Sequence, residues 1–129
     1  MSAEFPDGLL YHPHHGWARV EDDEALLGIT WFAQDRLGEI TYLELPAAGD
    51  EVRSGSAYAE VESLKALADV VAPLSGEILA VNAALERRPD IVNDDPYGEG
   101  WVVRVRLADP AEQASLLDAE AYTRLVAEQ

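Results

Sequence analysis

A small, mainly β domain of sandwich or barrel type, with one short helix and a helical C-terminus, is the fold class this sequence predicts. Apolar and polar residues alternate over short runs separated by Gly, Pro and Asp, the pattern of half-buried strands. One early stretch has helical spacing, and beyond Asp109-Pro110 the composition shifts to Ala, Leu and Glu. With 129 residues, 48% of them hydrophobic, the chain can bury one core, so residues 1–129 are expected to form a single domain.

Each element has its own signal. Trp17-Ala18-Arg19-Val20-Glu21 and Ala25-Leu26-Leu27-Gly28-Ile29-Thr30 flank an acidic turn at Asp22-Asp23 and read as an antiparallel hairpin. Trp31 to Leu37 reads as a short helix, with Thr30 as N-cap and Gly38 as the stop. Glu39 to Leu45 alternates again and ends at Pro46, and Gly49-Asp50 with Ser54-Gly55 brackets a short run through Val52. From Ser56 to Val81 the segments are β-prone, broken at Pro73 and Ser75-Gly76. Val102 to Leu107 is the cleanest late strand. A C-terminal helical extension over about residues 110–128 follows, with Leu116, Leu117, Ala121 and Leu125 on one stripe.

Charge and composition narrow the function. Twenty-five acids against nine bases give a formal charge of −16, which repels the phosphates of nucleic acid and of anionic lipid. Neither nucleic acid nor membrane is therefore an expected partner; the acidity reads equally as a device for solubility, or the record of a salty habitat, and as steering onto basic protein surfaces. No apolar run approaches the roughly 18 residues of a membrane span, and Met1-Ser2-Ala3-Glu4-Phe5-Pro6-Asp7 lacks the basic and apolar regions of a secretory leader. A cytoplasmic location is expected. With no cysteine there is no disulfide, thiolate metal site or thiol nucleophile in the polypeptide.

Lys65 is the one lysine, beside eight arginines. A primary amine can be acylated at neutral pH and a guanidinium cannot, so Lys65 is the candidate for a covalently attached group. It lies in Val61-Glu62-Ser63-Leu64-Lys65-Ala66, between two strand-like runs. The segments on either side mirror each other: Gly49-Asp50-Glu51-Val52 leads into a strand through Tyr58 and Val61, and a strand through Val70 leads into Ser75-Gly76-Glu77-Ile78. Two such half-units place Lys65 at an exposed turn on a rigid base.

Glu62-Ser63-Leu64-Lys65-Ala66, followed by Asp69, Ala72-Pro73, Ser75-Gly76 and Val81-Asn82, resembles the lipoyl-lysine hairpin of the glycine cleavage system H-protein family. The likeness extends to Gly28-Ile29-Thr30, Ala33-Gln34-Asp35, Leu37-Gly38-Glu39, Glu44-Leu45-Pro46 and Val92-Asn93-Asp94-Asp95-Pro96-Tyr97-Gly98-Glu99-Gly100-Trp101. The last stretch is not shared by the lipoyl domains of keto-acid dehydrogenases. Biotin carriers usually flank their lysine with methionines, where this chain has Leu64 and Ala66.

The resemblance implies a lipoyl/biotinyl-type barrel-sandwich hybrid with lipoate in amide linkage to Lys65 and no catalysis of its own. It implies an aminomethyl group carried between glycine decarboxylase (P protein), aminomethyltransferase (T protein) and dihydrolipoamide dehydrogenase (L protein). A lipoate ligase or a lipoyl/octanoyl transferase would load the arm. Glu62, Asp69, His14 and Arg36 are the residues expected in arm docking or in recognition by the loading enzyme.

Departures from the family pattern gather around the expected resting place of the arm. The common His-Glu-Trp is here His15-Gly16-Trp17, a small hydroxyl residue is replaced by His14, the acid after Ile29-Thr30 by Trp31, and the hydroxyl before Asp69 by Ala68. Losing a carboxylate weakens a pocket for a cation. An alternative cargo follows: sulfur intermediates, as in H-like lipoate-binding proteins serving a heterodisulfide-reductase-like complex. His12, His14 and His15 lack a clear fourth ligand, and neighbouring residues in a strand would face opposite ways, so no metal site is expected.

Overall fold

The computed structural model describes residues 5–129; Met1 to Glu4, part of the leader reading above, lie outside the described residues. The chain is mainly β, as its alternation predicts. Its elements are β1 (Leu10–Tyr11), β2 (Gly16–Glu21), β3 (Glu24–Ile29), α1 (Trp31–Leu37), β4 (Ile40–Glu44), β5 (Glu51–Val52), β6 (Ala57–Ser63), β7 (Leu67–Val71) and β8 (Gly76–Val81). They continue with α2 (Ala84–Arg87), α3 (Ile91–Asp94), β9 (Val103–Leu107), a 3₁₀ turn (Pro110–Ser115) and α4 (Ala119–Ala127). Six strands form one antiparallel sheet in the order β1-β2-β3-β9-β8-β5, and three form a second in the order β4-β6-β7.

The sheets meet along their apolar faces. Leu27, Ile78, Val103 and Val105 of the large sheet and Leu43, Val61 and Val70 of the small one belong to a single buried cluster. Their period of two puts alternate residues on this face and leaves the intervening ones for solvent. A second cluster of aromatic residues, including Tyr11, Trp17, Tyr97 and Tyr122, forms where α4 comes back against β1.

The half-unit symmetry of the sequence has a structural meaning. β6 pairs with β7, with Glu60 opposite Asp69, and β5 pairs with β8, with Glu51 opposite Glu77. Both ladders are related by the same pseudo-symmetry about the Lys65 turn, so the two halves pair with each other rather than within themselves. Between the ladders Ser54 crosses to the opposite half: its N–H donates to Ser75 Oγ at 2.9 Å and its hydroxyl donates to the Pro73 carbonyl at 3.1 Å.

The local signals at α1 are realised. Thr30 Oγ1 accepts from the Ala33 N–H at 3.2 Å, and Gly38, at φ 78°, ends the helix while donating its N–H to the Gln34 carbonyl. The C-terminal stripe is different. Leu116 and Leu117 are not helical: Leu117 pairs with Tyr11, each N–H donating to the other's carbonyl at 2.8 Å. Asp118 then caps α4 by accepting from the Ala121 N–H at 2.9 Å. The stripe fails as one helix because a cap and a strand-like bridge divide it.

Candidate functional site

Lys65 stands at the tip of the β6–β7 hairpin. Ser63 builds the turn: its Oγ accepts from the backbone N–H of Lys65 at 3.3 Å and of Ala66 at 3.1 Å, and its own N–H donates to the Ala66 carbonyl at 2.9 Å. A serine hydroxyl thus satisfies N–H groups that a tight turn leaves open. Leu64 N–H donates to the Glu39 carbonyl at 3.2 Å, fastening the turn to the chain just beyond α1. Gly38 is the point of close approach, where an added Cβ would lie 3.1 Å from Lys65 Cε. The lysine stem therefore crosses the C-terminal end of α1, and its amine is exposed, without hydrogen bond or ion pair among the described residues.

Asn93 on α3 pins the floor beneath that turn. Its amide nitrogen donates to the Gly38 carbonyl at 2.8 Å and to Gln34 Oε1 at 2.9 Å, and its Oδ1 accepts from the Ile40 N–H at 2.9 Å. One side chain thereby joins the last turn of α1 to the start of β4. Gln34 is buried and also donates to the Trp31 carbonyl at 3.0 Å, so the polar cluster is satisfied.

A cleft of about 300 Å³ opens between α1 and β7. Phe32, Arg36 and Leu37 come from the helix, and Ala68 and Asp69 from the strand three and four residues past Lys65. His14, His15 and Gln129 also line it. A larger groove of about 610 Å³ runs along β5 and β8, but it shares no wall with the Lys65 hairpin. Volume alone does not identify the site.

The tertiary structure brings Arg36, Asp69 and His14 to the cleft and leaves Glu62 outside it. Glu62 is exposed on the outer face of the small sheet, in the register row Tyr42–Glu62–Leu67. Tyr42, Leu64 and Leu67 are 50%, 75% and 60% exposed, so the surface around Lys65 is apolar as well as acidic. Of the family departures, His14 and Ala68 line the cleft, whereas Gly16 and Trp31 do not. A Cβ at Gly16 would sit 2.6 Å from the Val71 carbonyl oxygen, so this backbone has no room for a side chain there. Trp31 packs edge-on against Phe5, with centroids 6.4 Å apart, while its N–H donates to Tyr97 Oη at 2.8 Å.

His12, His14 and His15 lie in the turn between β1 and β2 rather than in a strand, so the argument from alternating faces does not apply to them. The His12 ring accepts from the His14 N–H at 3.0 Å, a local cap of the turn. His15, at φ 76°, points its Nδ1 to Tyr122 Oη at 2.7 Å, and Tyr122 Oη lies 2.8 Å from Thr30 Oγ1. Burial holds the His15 imidazole below its ordinary pKa, a hydrogen bond with Gln129 acts the other way, and nearby His14 and Arg36 add to the lowering. Among the described residues no three His, Cys, Asp or Glu side chains gather as a metal site.

The glycine cleavage H-protein family model matches residues 9–129, spanning the hairpin, the cleft and the α3 segment. This chain belongs to the glycine cleavage H-protein family. The glycine cleavage system H protein of Symbiobacterium thermophilum is 46% identical over 120 residues, 93% of this chain and 94% of that protein. That of Thermus thermophilus is 47% identical over 123 residues, covering 95% and 96%. The crystal structure of a glycine cleavage system H protein from Mycobacterium marinum superposes with a TM-score of 0.88 at 33% identity, covering 95% of this chain and 99% of that one.

Ser63 and Asn93 both lie within family motifs visible in the sequence, but their roles are geometric. Nothing in the order of residues says that Asn93 reaches back to Gln34, Gly38 and Ile40.

Proposed function

We propose that this chain is a lipoyl carrier of the glycine cleavage system, with the lipoyl group in amide linkage to Lys65. One observation carries the reading: the only lysine of the sequence stands exposed at a hairpin tip, unpaired among the described residues, with its stem against Gly38 and a partly apolar cleft lined by residues of the same hairpin and of α1. An acylated arm leaving Lys65 would find Leu37 and Phe32 on one side and Ala68 on the other. These surfaces fit an aliphatic chain with a small sulfur ring. When attached, the lipoyl group supplies a strained disulfide that opens to accept an aminomethyl group derived from glycine.

The protein's own residues hold and shelter. Ser63 and Leu64 fix the base of the arm, and Asn93 and Gly38 give it a rigid floor. Asp69 is the aspartate lining the cleft, exposed at its edge, and is the residue suited to an ammonium end. Glu62, exposed between Tyr42 and Leu67, would serve recognition by the ligase or transferase that loads Lys65; its exposure three residues before the lysine supports that role. Glycine decarboxylase, aminomethyltransferase and dihydrolipoamide dehydrogenase act on the arm in turn, in the cytoplasm, and catalysis belongs to them. No helix among the described residues is long and apolar enough to cross a membrane.

Intact mass tests the attachment. Protein coexpressed with a lipoate ligase should gain one lipoyl increment and Lys65→Arg should gain none; an increment that persists in the variant refutes the assignment. Incubation of the lipoylated protein with glycine decarboxylase and glycine should add the aminomethyl mass. With a competent decarboxylase, its absence would favour sulfur cargo and a heterodisulfide-reductase-like partner.

A further inference from the structure

The cleft beside Lys65 carries a cation without a counter-ion. Arg36 is exposed at the rim, and its guanidinium carbon lies 4.8 Å from the centre of the Phe32 ring. The Phe32 ring centre lies in turn 4.8 Å from that of His15, the rings tilted by 46°, so the three side chains lie in a row. No carboxylate among the described residues comes within ion-pairing distance of Arg36. Asp69 stands on the facing wall, on β7, and His14 also lines the cleft. A fixed cation against an aromatic face, in a partly enclosed cleft, favours the negative form of whatever ionisable group rests beside it.

The reduced arm brings such a group. Its two thiols are plain alkyl thiols, which ionise above the roughly 8.5 of a cysteine because no peptide group beside them withdraws charge, and only the thiolate attacks a disulfide. We propose that Arg36 is a charge-setting residue for the reduced arm, stabilising its thiolate when the dithiol lies in the cleft. This rests on the lipoyl reading of Lys65. The consequence is a larger thiolate fraction near neutral pH, which speeds exchange with the disulfide of the reoxidising flavoenzyme. Asp69 opposes the effect from the other wall, and His14 and His15 add to it only when protonated.

The test uses the full-length lipoylated protein as wild type, Arg36→Gln and Arg36→Lys. Each is reduced with a phosphine, freed of reductant and treated with iodoacetamide over about pH 6 to about pH 11, a range that reaches past the ionisation of a cysteine thiol. In each alkylation the thiol gives its proton to buffer, the thiolate forms one C–S bond and iodide leaves, adding a defined mass. Because Arg36 is exposed, the expected effect is modest: Arg36→Gln should react about threefold more slowly near neutral pH, its profile displaced upward. Arg36→Lys should lie between the two. In denaturant all three profiles should coincide, since arm and cation no longer share a cleft. Coincident native profiles for wild type and Arg36→Gln would overturn the inference alone, as would a lysine variant identical to the glutamine one. A wild-type chain with no lipoyl increment would overturn both this and the attachment reading.

Discussion

Asn93 illustrates how much one half-buried side chain can organise. Its amide makes three hydrogen bonds that hold the last turn of α1 against β4, and the Lys65 turn hangs from the same place through the Glu39 carbonyl. Replacing it with alanine strands the Ile40 N–H and the Gly38 carbonyl. Asn93→Ala is expected to lower stability by about 2 to 3 kcal/mol, read as a lower urea midpoint at unchanged slope. Its effect on loading of Lys65 should exceed that of changes on the far side of the molecule, because the floor of the turn loosens. Gly38 belongs to the same device: φ 78° is a left-handed position, and a Cβ there would lie 3.1 Å from Lys65 Cε, a tight contact. At this scale the sequence was legible where chemistry singles a residue out, as with Lys65, and illegible where a role arises from a long-range contact. Asn93 is 55 residues from Gly38, and no local pattern marks the bond.

Among the elements, α1 was readable because its caps act within a few residues. Thr30 reaches Ala33 and Gly38 reaches Gln34 whatever the rest of the chain does. The helical character of the C-terminus was readable from its composition, but its placement was not, because α4 is held by Tyr122, whose ring stacks on Tyr11 at 4.8 Å and 11° and whose hydroxyl meets His15 and Thr30. Burial pushes the Tyr122 hydroxyl up to about 12, so it stays protonated and can serve this junction throughout the neutral range. His15 gives the contact a pH dependence. The unfolded chain protonates the imidazole near its ordinary value of 6.5, while the folded state resists. The contribution to stability is therefore fully present above about pH 6.5 and is lost as pH falls through the lowered folded value. His12, also lowered by burial and then by His14, acts in the same direction. The melting temperature should fall between about pH 7.5 and about pH 5.5, above the carboxylate range, and His15→Asn should flatten that fall. An unaltered slope in the variant would assign the effect elsewhere.

For the whole molecule, charge and exposed surface act together. The register aligns Glu21, Glu24, Arg106, Glu77 and Glu51 across the outer face of the large sheet, and Arg104 from the neighbouring row reaches Glu24 at 3.3 Å, so four carboxylates meet two guanidinium groups. Arg106 reaches Glu77 at 3.4 Å, with both side chains about half exposed, so the pair screens the row only weakly. Combined with a formal charge of −16, this surface should accelerate encounters with basic partners. For the lipoylated protein as substrate, kcat/KM of glycine decarboxylase is expected to fall as ionic strength rises past about 0.15 M, where the screening length is about 8 Å. A salt-independent value would leave the acidity as a device for solubility alone.

The sequence by itself determined the β character, the α1 helix and Lys65 as the chemical handle. Period-two alternation, short-range caps and the singular reactivity of one amine are all written within a few residues of where they act. Only the tertiary structure decided what the arm meets: Arg36 and Phe32 from α1, Asp69 from β7, and histidines from the β1–β2 turn line one cleft. Those residues lie on segments separated by tens of positions, and their convergence depends on the pairing of two sheets and the return of α4. Glu62, three residues from Lys65 in sequence, ends outside that cleft because it stands exposed on β6, the central strand of the small sheet, whereas Asp69 lies on the edge strand β7, across the cleft from α1.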